Sequence, residues 1–139
     1  MKKNNSEFEN FILDVDGVLT DGSFFYDETG KKYKRFGPDD ADALSLISHK
    51  IKITFVSADK KGFEISKKRV NDMGYELLNI SSYRRAAELR ELGVNLKKTI
   101  YMGDGIFDSL MFEEVGYSIA PSNSFSTTIM MANHVCFKK

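Results

Sequence analysis

Three short apolar runs, Phe11-Ile-Leu-Asp-Val-Asp16, Ile51-Lys-Ile-Thr-Phe-Val56 and Thr99-Ile-Tyr-Met102, each stop at small, hydroxyl or acidic residues, and stretches of helical spacing separate them. Runs of this length read as buried strands. Weaker strands are expected at 76–78, 117–119 and 134–136, and helices over 39–48, 61–73, 83–92, 106–115 and 124–131. Such alternation predicts an α/β fold: a three-layer, Rossmann-like parallel sheet with helices on both faces and right-handed crossovers. One segment breaks it. Residues 23–36 read as two aromatic strands around an Asp27-Glu-Thr-Gly30 turn, a β-hairpin inserted after the first strand. Pro38-Asp39-Asp40 marks the start of the helix that follows. With 139 residues and no linker, one domain spanning 1–139 is expected.

Composition narrows the function. Twenty Lys and Arg balance twenty Asp and Glu, so the basic excess that nucleic-acid binding needs is missing. The lysine pairs at 2–3, 60–61, 67–68, 97–98 and 138–139 read as solvated helix faces and ends. Cys136 is the only cysteine, which rules out an intrachain disulfide and a cysteine metal cluster. The charged start of the chain is followed by no apolar leader, and no run is long enough to span a bilayer. The expected setting is cytoplasmic, away from membranes.

In an open parallel sheet, ligands sit beyond the carboxyl ends of the strands, where the strand order reverses. Asp14 and Asp16 end the first run, Ser57 follows the second, and Gly103-Asp104-Gly105-Ile-Phe-Asp108 follows the third. If the first strand stays regular, Asp14 and Asp16 project the same way. Clustered carboxylates raise one another's pKa values unless a cation joins them. Magnesium suits such a site, because it prefers oxygen ligands and supports phosphoryl transfer. Asp14 is then a candidate nucleophile, Asp16 a general acid and base, and Ser57 a hydroxyl donor to phosphate, with a cation completing the cradle.

Asp14-Val-Asp-Gly-Val-Leu-Thr-Asp-Gly22, the hairpin, Val56-Ser57 and Tyr101-Met-Gly-Asp-Gly-Ile-Phe-Asp108, in that order, resemble the haloacid dehalogenase superfamily. More narrowly they resemble its capless branch of ketodeoxyoctulosonate and nonulosonate phosphate phosphatases. The resemblance implies a magnesium-dependent phosphomonoesterase acting through an aspartyl-phosphate on a small phosphate ester, such as a sugar acid or sugar phosphate for surface polysaccharide. It implies magnesium ligands from the Asp14 carboxylate, the Asp16 carbonyl and the Asp104 side chain, with Asp108 supporting the metal site. It also implies a homotetramer assembled through the hairpin.

The chain departs from that pattern at three places. Ser57-Ala58-Asp59 stands where relatives have Thr-Gly-Arg or Thr-Gly-Glu, so Asp59 is expected to alter substrate preference or phosphate binding. Ser81-Ser-Tyr-Arg-Arg85 stands where relatives have a lysine, and Arg84 or Arg85 is the candidate replacement, Arg85 being favoured. No Gly-Gly-rich tail precedes Lys139, which points to different substrate selection. A catalytically inactive relative serving as an oligomerisation or regulatory module is the alternative that these departures raise.

Overall fold

A computed structural model describes residues 7–137; the lysine pairs at 2–3 and 138–139 and most of the charged start of the chain lie outside them. Eight strands and five helices follow one another as β1 (Asn10–Asp14), β2 (Phe25–Asp27), β3 (Gly30–Tyr33), α1 (Asp39–Ile47), β4 (Lys52–Ser57), α2 (Phe63–Asp72), β5 (Glu76–Asn79), α3 (Arg85–Glu91), β6 (Thr99–Met102), α4 (Asp108–Phe112), β7 (Tyr117–Pro121), α5 (Ser126–Met131) and β8 (His134–Cys136). Six strands form one parallel sheet in the order β5-β4-β1-β6-β7-β8, and β2 pairs with β3 in the expected hairpin.

Both faces of the sheet are covered, which explains why its inner strands are nearly continuous apolar runs rather than alternating ones. Ile12, Val56, Tyr101 and Ala120 pack with Leu89 of α3 and Met111 and Phe112 of α4. Leu13, Ile53, Phe55 and Leu77 pack on the other face with Leu44 of α1 and Val70 of α2. The order reverses at β1, which lies between β4 and β6. The carboxyl ends of these three strands therefore flank one crevice, and Asp14, Ser57 and Gly103-Asp104 lie there.

The first strand is shorter than its apolar run. The carbonyl of Val15 accepts the N–H groups of Val18 and Leu19, so the chain turns immediately after Asp14. Asp16 is in that turn and not on the strand, and the expectation that alternation aims it with Asp14 does not apply. The first helix begins at Asp39 as its spacing suggests, while the other four begin two residues later, because their leading residues form the strand-to-helix loops. No helix among the described residues is long and apolar enough to cross a membrane.

Candidate active site

Three carboxylates meet at the switch point: Asp14, Asp104 and Asp108 each offer an oxygen, and these oxygens lie within 4.8 Å of one another. Asp14 comes from the end of β1, Asp104 from the loop after β6 and Asp108 from the start of α4. Burial lifts the Asp14 carboxyl well above the usual carboxylate range, with the charges of Asp108 and Asp104 adding to it and Arg85 opposing. Burial and then Asp108 push Asp104 up to about 6. A bound cation would favour the ionised form of carboxyl groups raised in this way. An all-oxygen donor set fits a hard divalent ion such as magnesium.

The three acids are not equivalent. The Oδ1 of Asp108 accepts from Arg85 Nη1 at 3.2 Å and from the Tyr101 hydroxyl, and its Oδ2 accepts the N–H groups of Asp104 and Gly105, both at 2.9 Å. Four bonds fill the acceptor capacity of a carboxylate. Asp108 thus shapes the loop that carries Asp104. Asp14 accepts one bond, from the Val15 N–H at 2.9 Å, and lies 3.7 Å from Arg85. Asp14 and Asp104 are the side chains with capacity left for a metal.

Arg85 is the first residue of α3, and its side chain is only 3% exposed. Its Nη1 also donates to Tyr101 at 2.6 Å, while its buried Nε has no partner among the described residues. Arg84 precedes the helix and is exposed. The favoured arginine is therefore the one beside Asp14. Tyr101 was not singled out as a site residue from the sequence. The signal was available, since a tyrosine inside a buried strand needs a partner for its hydroxyl. Burial, followed by the charge of Asp108, raises the pKa of that phenol well above its usual value, so it stays protonated and donates.

Ser57 is the last residue of β4 and is buried; its Oγ accepts the Asp59 N–H at 3.1 Å and keeps its own proton to donate. Asp16 turns aside from the three carboxylates to meet Lys34, yet Asp14, Asp16, Ser57, Asp59 and Arg85 all line one cavity of about 270 Å³. Its wall includes Ile106 and Phe107, which are half-exposed.

A family model described as haloacid dehalogenase-like hydrolase matches residues 28–139. The chain belongs to that family. It is 30% identical over 118 residues to a 3-deoxy-D-manno-octulosonate 8-phosphate phosphatase from Haemophilus influenzae, a match covering 81% of this chain and 64% of the relative. The chain thus spans somewhat less than two-thirds of that protein's length. Among solved structures, the cobalt-bound deoxy-D-mannose-octulosonate 8-phosphate phosphatase of H. influenzae superposes with a TM-score of 0.81 at 27% identity, covering 95% of this chain and 79% of that one. The same fold occurs in the 3-deoxy-D-manno-octulosonate 8-phosphate phosphatase of Moraxella catarrhalis, solved with magnesium, phosphate and KDO (TM-score 0.80, 23% identity, 95% and 78% covered).

The loops around the acids approach one another closely. Gly17 has φ +82°, and a Cβ there would lie 1.8 Å from Asp104 Oδ2. Gly17→Ala is expected to destabilise the protein by about 1–3 kcal/mol through backbone strain and to displace the Asp104 carboxylate. Thermal melts with and without magnesium check this: a metal-induced rise is expected for wild type, and the variant should lose most of it.

Asp104 also gives a pH dependence. Its pKa rises from 3.8 to about 6 on folding, so the native state binds the extra proton. The resulting stability is complete below pH 3.8 and lost as pH rises through 6. In chelator, the melting temperature of wild type relative to Asp104→Asn is expected to fall across that window. Magnesium should abolish the fall, because it favours the ionised carboxylate.

Proposed function

We propose that this chain is a single-domain, magnesium-dependent phosphomonoesterase that acts through an aspartyl-phosphate on a small phosphorylated sugar or sugar acid. The observation that carries the reading is the convergence of Asp14, Asp104 and Arg85 at the switch point of the sheet, two carboxyl groups and a buried cation. Magnesium would be held by Asp14, the Asp16 carbonyl and Asp104, with Asp108 fixing the loop, and when bound it neutralises phosphate charge. The substrate class follows the names of the relatives, sugar-acid phosphate phosphatases.

The protein's part in the chemistry is written in two steps. A carboxylate oxygen of Asp14 attacks phosphorus, the ester P–O bond breaks, and the departing alcohol oxygen takes a proton from Asp16. Water then attacks phosphorus and gives its proton to Asp16, the P–O bond to Asp14 breaks, and inorganic phosphate leaves. Ser57 donates its hydroxyl hydrogen to a phosphate oxygen. Arg85 offsets phosphate charge, and its unpartnered Nε–H is a further donor in the cavity wall.

An inactive oligomerisation module is the competing reading, drawn from the missing lysine. Arg85 beside Asp14 supports the enzyme instead. Phe24, Phe25, Tyr26 and Tyr33, exposed on and beside the hairpin, support its use as the contact surface of a homotetramer. Phosphate release from a panel of sugar and sugar-acid phosphates, with and without magnesium, tests the function. Magnesium-dependent release from at least one member is expected, and none from any member would leave the module.

A further inference from the structure

Lys34 immediately follows β3 of the hairpin, and its side chain is completely buried. Lysine is rarely buried without defined partners, and here each of its three N–H donors has one. Nζ lies 2.9 Å from Oδ1 and 3.0 Å from Oδ2 of Asp16, 2.8 Å from Asp59 Oδ2 and 2.8 Å from Ser66 Oγ. Asp59 is equally committed. Its Oδ2 also meets Lys31 at 2.6 Å, and its Oδ1 accepts the Gly62 N–H at 3.1 Å. Although burial opposes its charge, hydrogen bonds from Lys31 and Lys34 hold the Asp59 carboxyl down at about 2.

The cluster is tightly packed. A Cβ at Gly62 would lie 2.3 Å from Asp59 Oδ2 and 2.8 Å from the Cε of Lys34, so a side chain there would displace both. Two lysines from the hairpin and two aspartates from the sheet loops sum to zero charge. Asp16 sits in a turn that no strand holds, so Lys34 is the main restraint on where its carboxylate points.

We propose that Lys34 is a positioning residue for Asp16, supplied by the hairpin and anchored by Asp59, so that Asp59 serves the acid–base group and not the substrate. This rests on the phosphatase reading above. Nζ is nearly equidistant from both Asp16 oxygens, so a proton on one leaves the other as an acceptor for the lysine.

Leaving-group dependence tests it. Phenyl phosphate and p-nitrophenyl phosphate have similar shapes, but phenol is the poorer leaving group and depends more on protonation. Their kcat/KM values report the steps up to loss of the alcohol. Lys34→Met is expected to lower kcat/KM about 100-fold for phenyl phosphate and less than about tenfold for p-nitrophenyl phosphate, the same ordering expected of Asp16→Asn. Lys34→Met/Asp59→Asn removes one charge of each sign, which keeps the cluster neutral for folding, and should show the same ordering.

Equal losses on the two esters in either folded variant, or no loss, would overturn the role of Lys34. Failure of both variants to fold would do so too, since it would make the lysine a structural element of the whole protein. A wild type that hydrolyses neither ester nor any sugar phosphate overturns the phosphatase reading itself.

Discussion

Asp14→Asn is expected to lower magnesium-dependent phosphate release by on the order of 10⁴-fold or more, because a covalent route has no substitute for its nucleophile. The same change should raise the melting temperature of the metal-free protein. Burial and the charges of Asp108 and Asp104 raise the pKa of Asp14 well above its usual value, so ionising it costs stability that a neutral amide does not. In magnesium the advantage should disappear, since the ion then compensates the carboxylate that the variant lacks. A variant that is inactive but more stable in chelator, and not in magnesium, separates a built metal and reaction site from a residue needed for folding.

The second large effect belongs to Arg85. Its guanidinium is the buried countercharge of Asp14 and Asp108 and the hydrogen-bond partner of Tyr101. Arg85→Ala leaves those groups without it, and removing one partner of a buried ion pair costs about 3–5 kcal/mol. For a domain of this size that corresponds to a fall in melting temperature of roughly 10–17 °C, measurable by calorimetry. Arg84→Ala should change it by less than about 2 °C, because Arg84 is exposed. Arg85→Lys should recover only part of the stability and activity, since one ammonium does not reproduce a planar fork of donors.

The sheet was legible because its strands are buried on both faces and so stand out as uninterrupted apolar runs between helical stretches. From the reversal of strand order it followed that Asp14, Ser57 and Asp104 lie at neighbouring strand ends; in the structure Asp14 groups with Asp104 and lines one cavity with Ser57. Other features were hidden for physical reasons. Lys34 lies in Lys31-Lys-Tyr-Lys-Arg35, a stretch that looks solvated. Its burial depends on Asp16, Asp59 and Ser66, which only the folded chain brings to the hairpin.

Asp16 was expected to share the direction of Asp14, but a backbone turn at Val15 ended the alternation on which that expectation depended. The choice between Arg84 and Arg85 could not come from spacing alone. Adjacent positions at a helix start point about 100° apart, so only one faces inward, and where α3 begins decides which. Asp59 stands where the family resemblance gives Arg or Glu, and it was expected to alter substrate preference or phosphate binding. In this chain two lysines from the hairpin hold it, a pairing that sequence spacing does not reveal.

In the proposed reaction Asp14 carries the phosphoryl group during turnover. Mixing the protein with magnesium and a hydrolysed sugar phosphate, quenching in acid within one turnover and mapping the peptides by mass spectrometry tests it directly. One added phosphoryl group is expected on the peptide containing Asp14, absent from Asp14→Asn and from samples without magnesium. Phosphate released at the wild-type rate with no phosphorylated Asp14 at any quench time, or by Asp14→Asn as fast as by wild type, would contradict it.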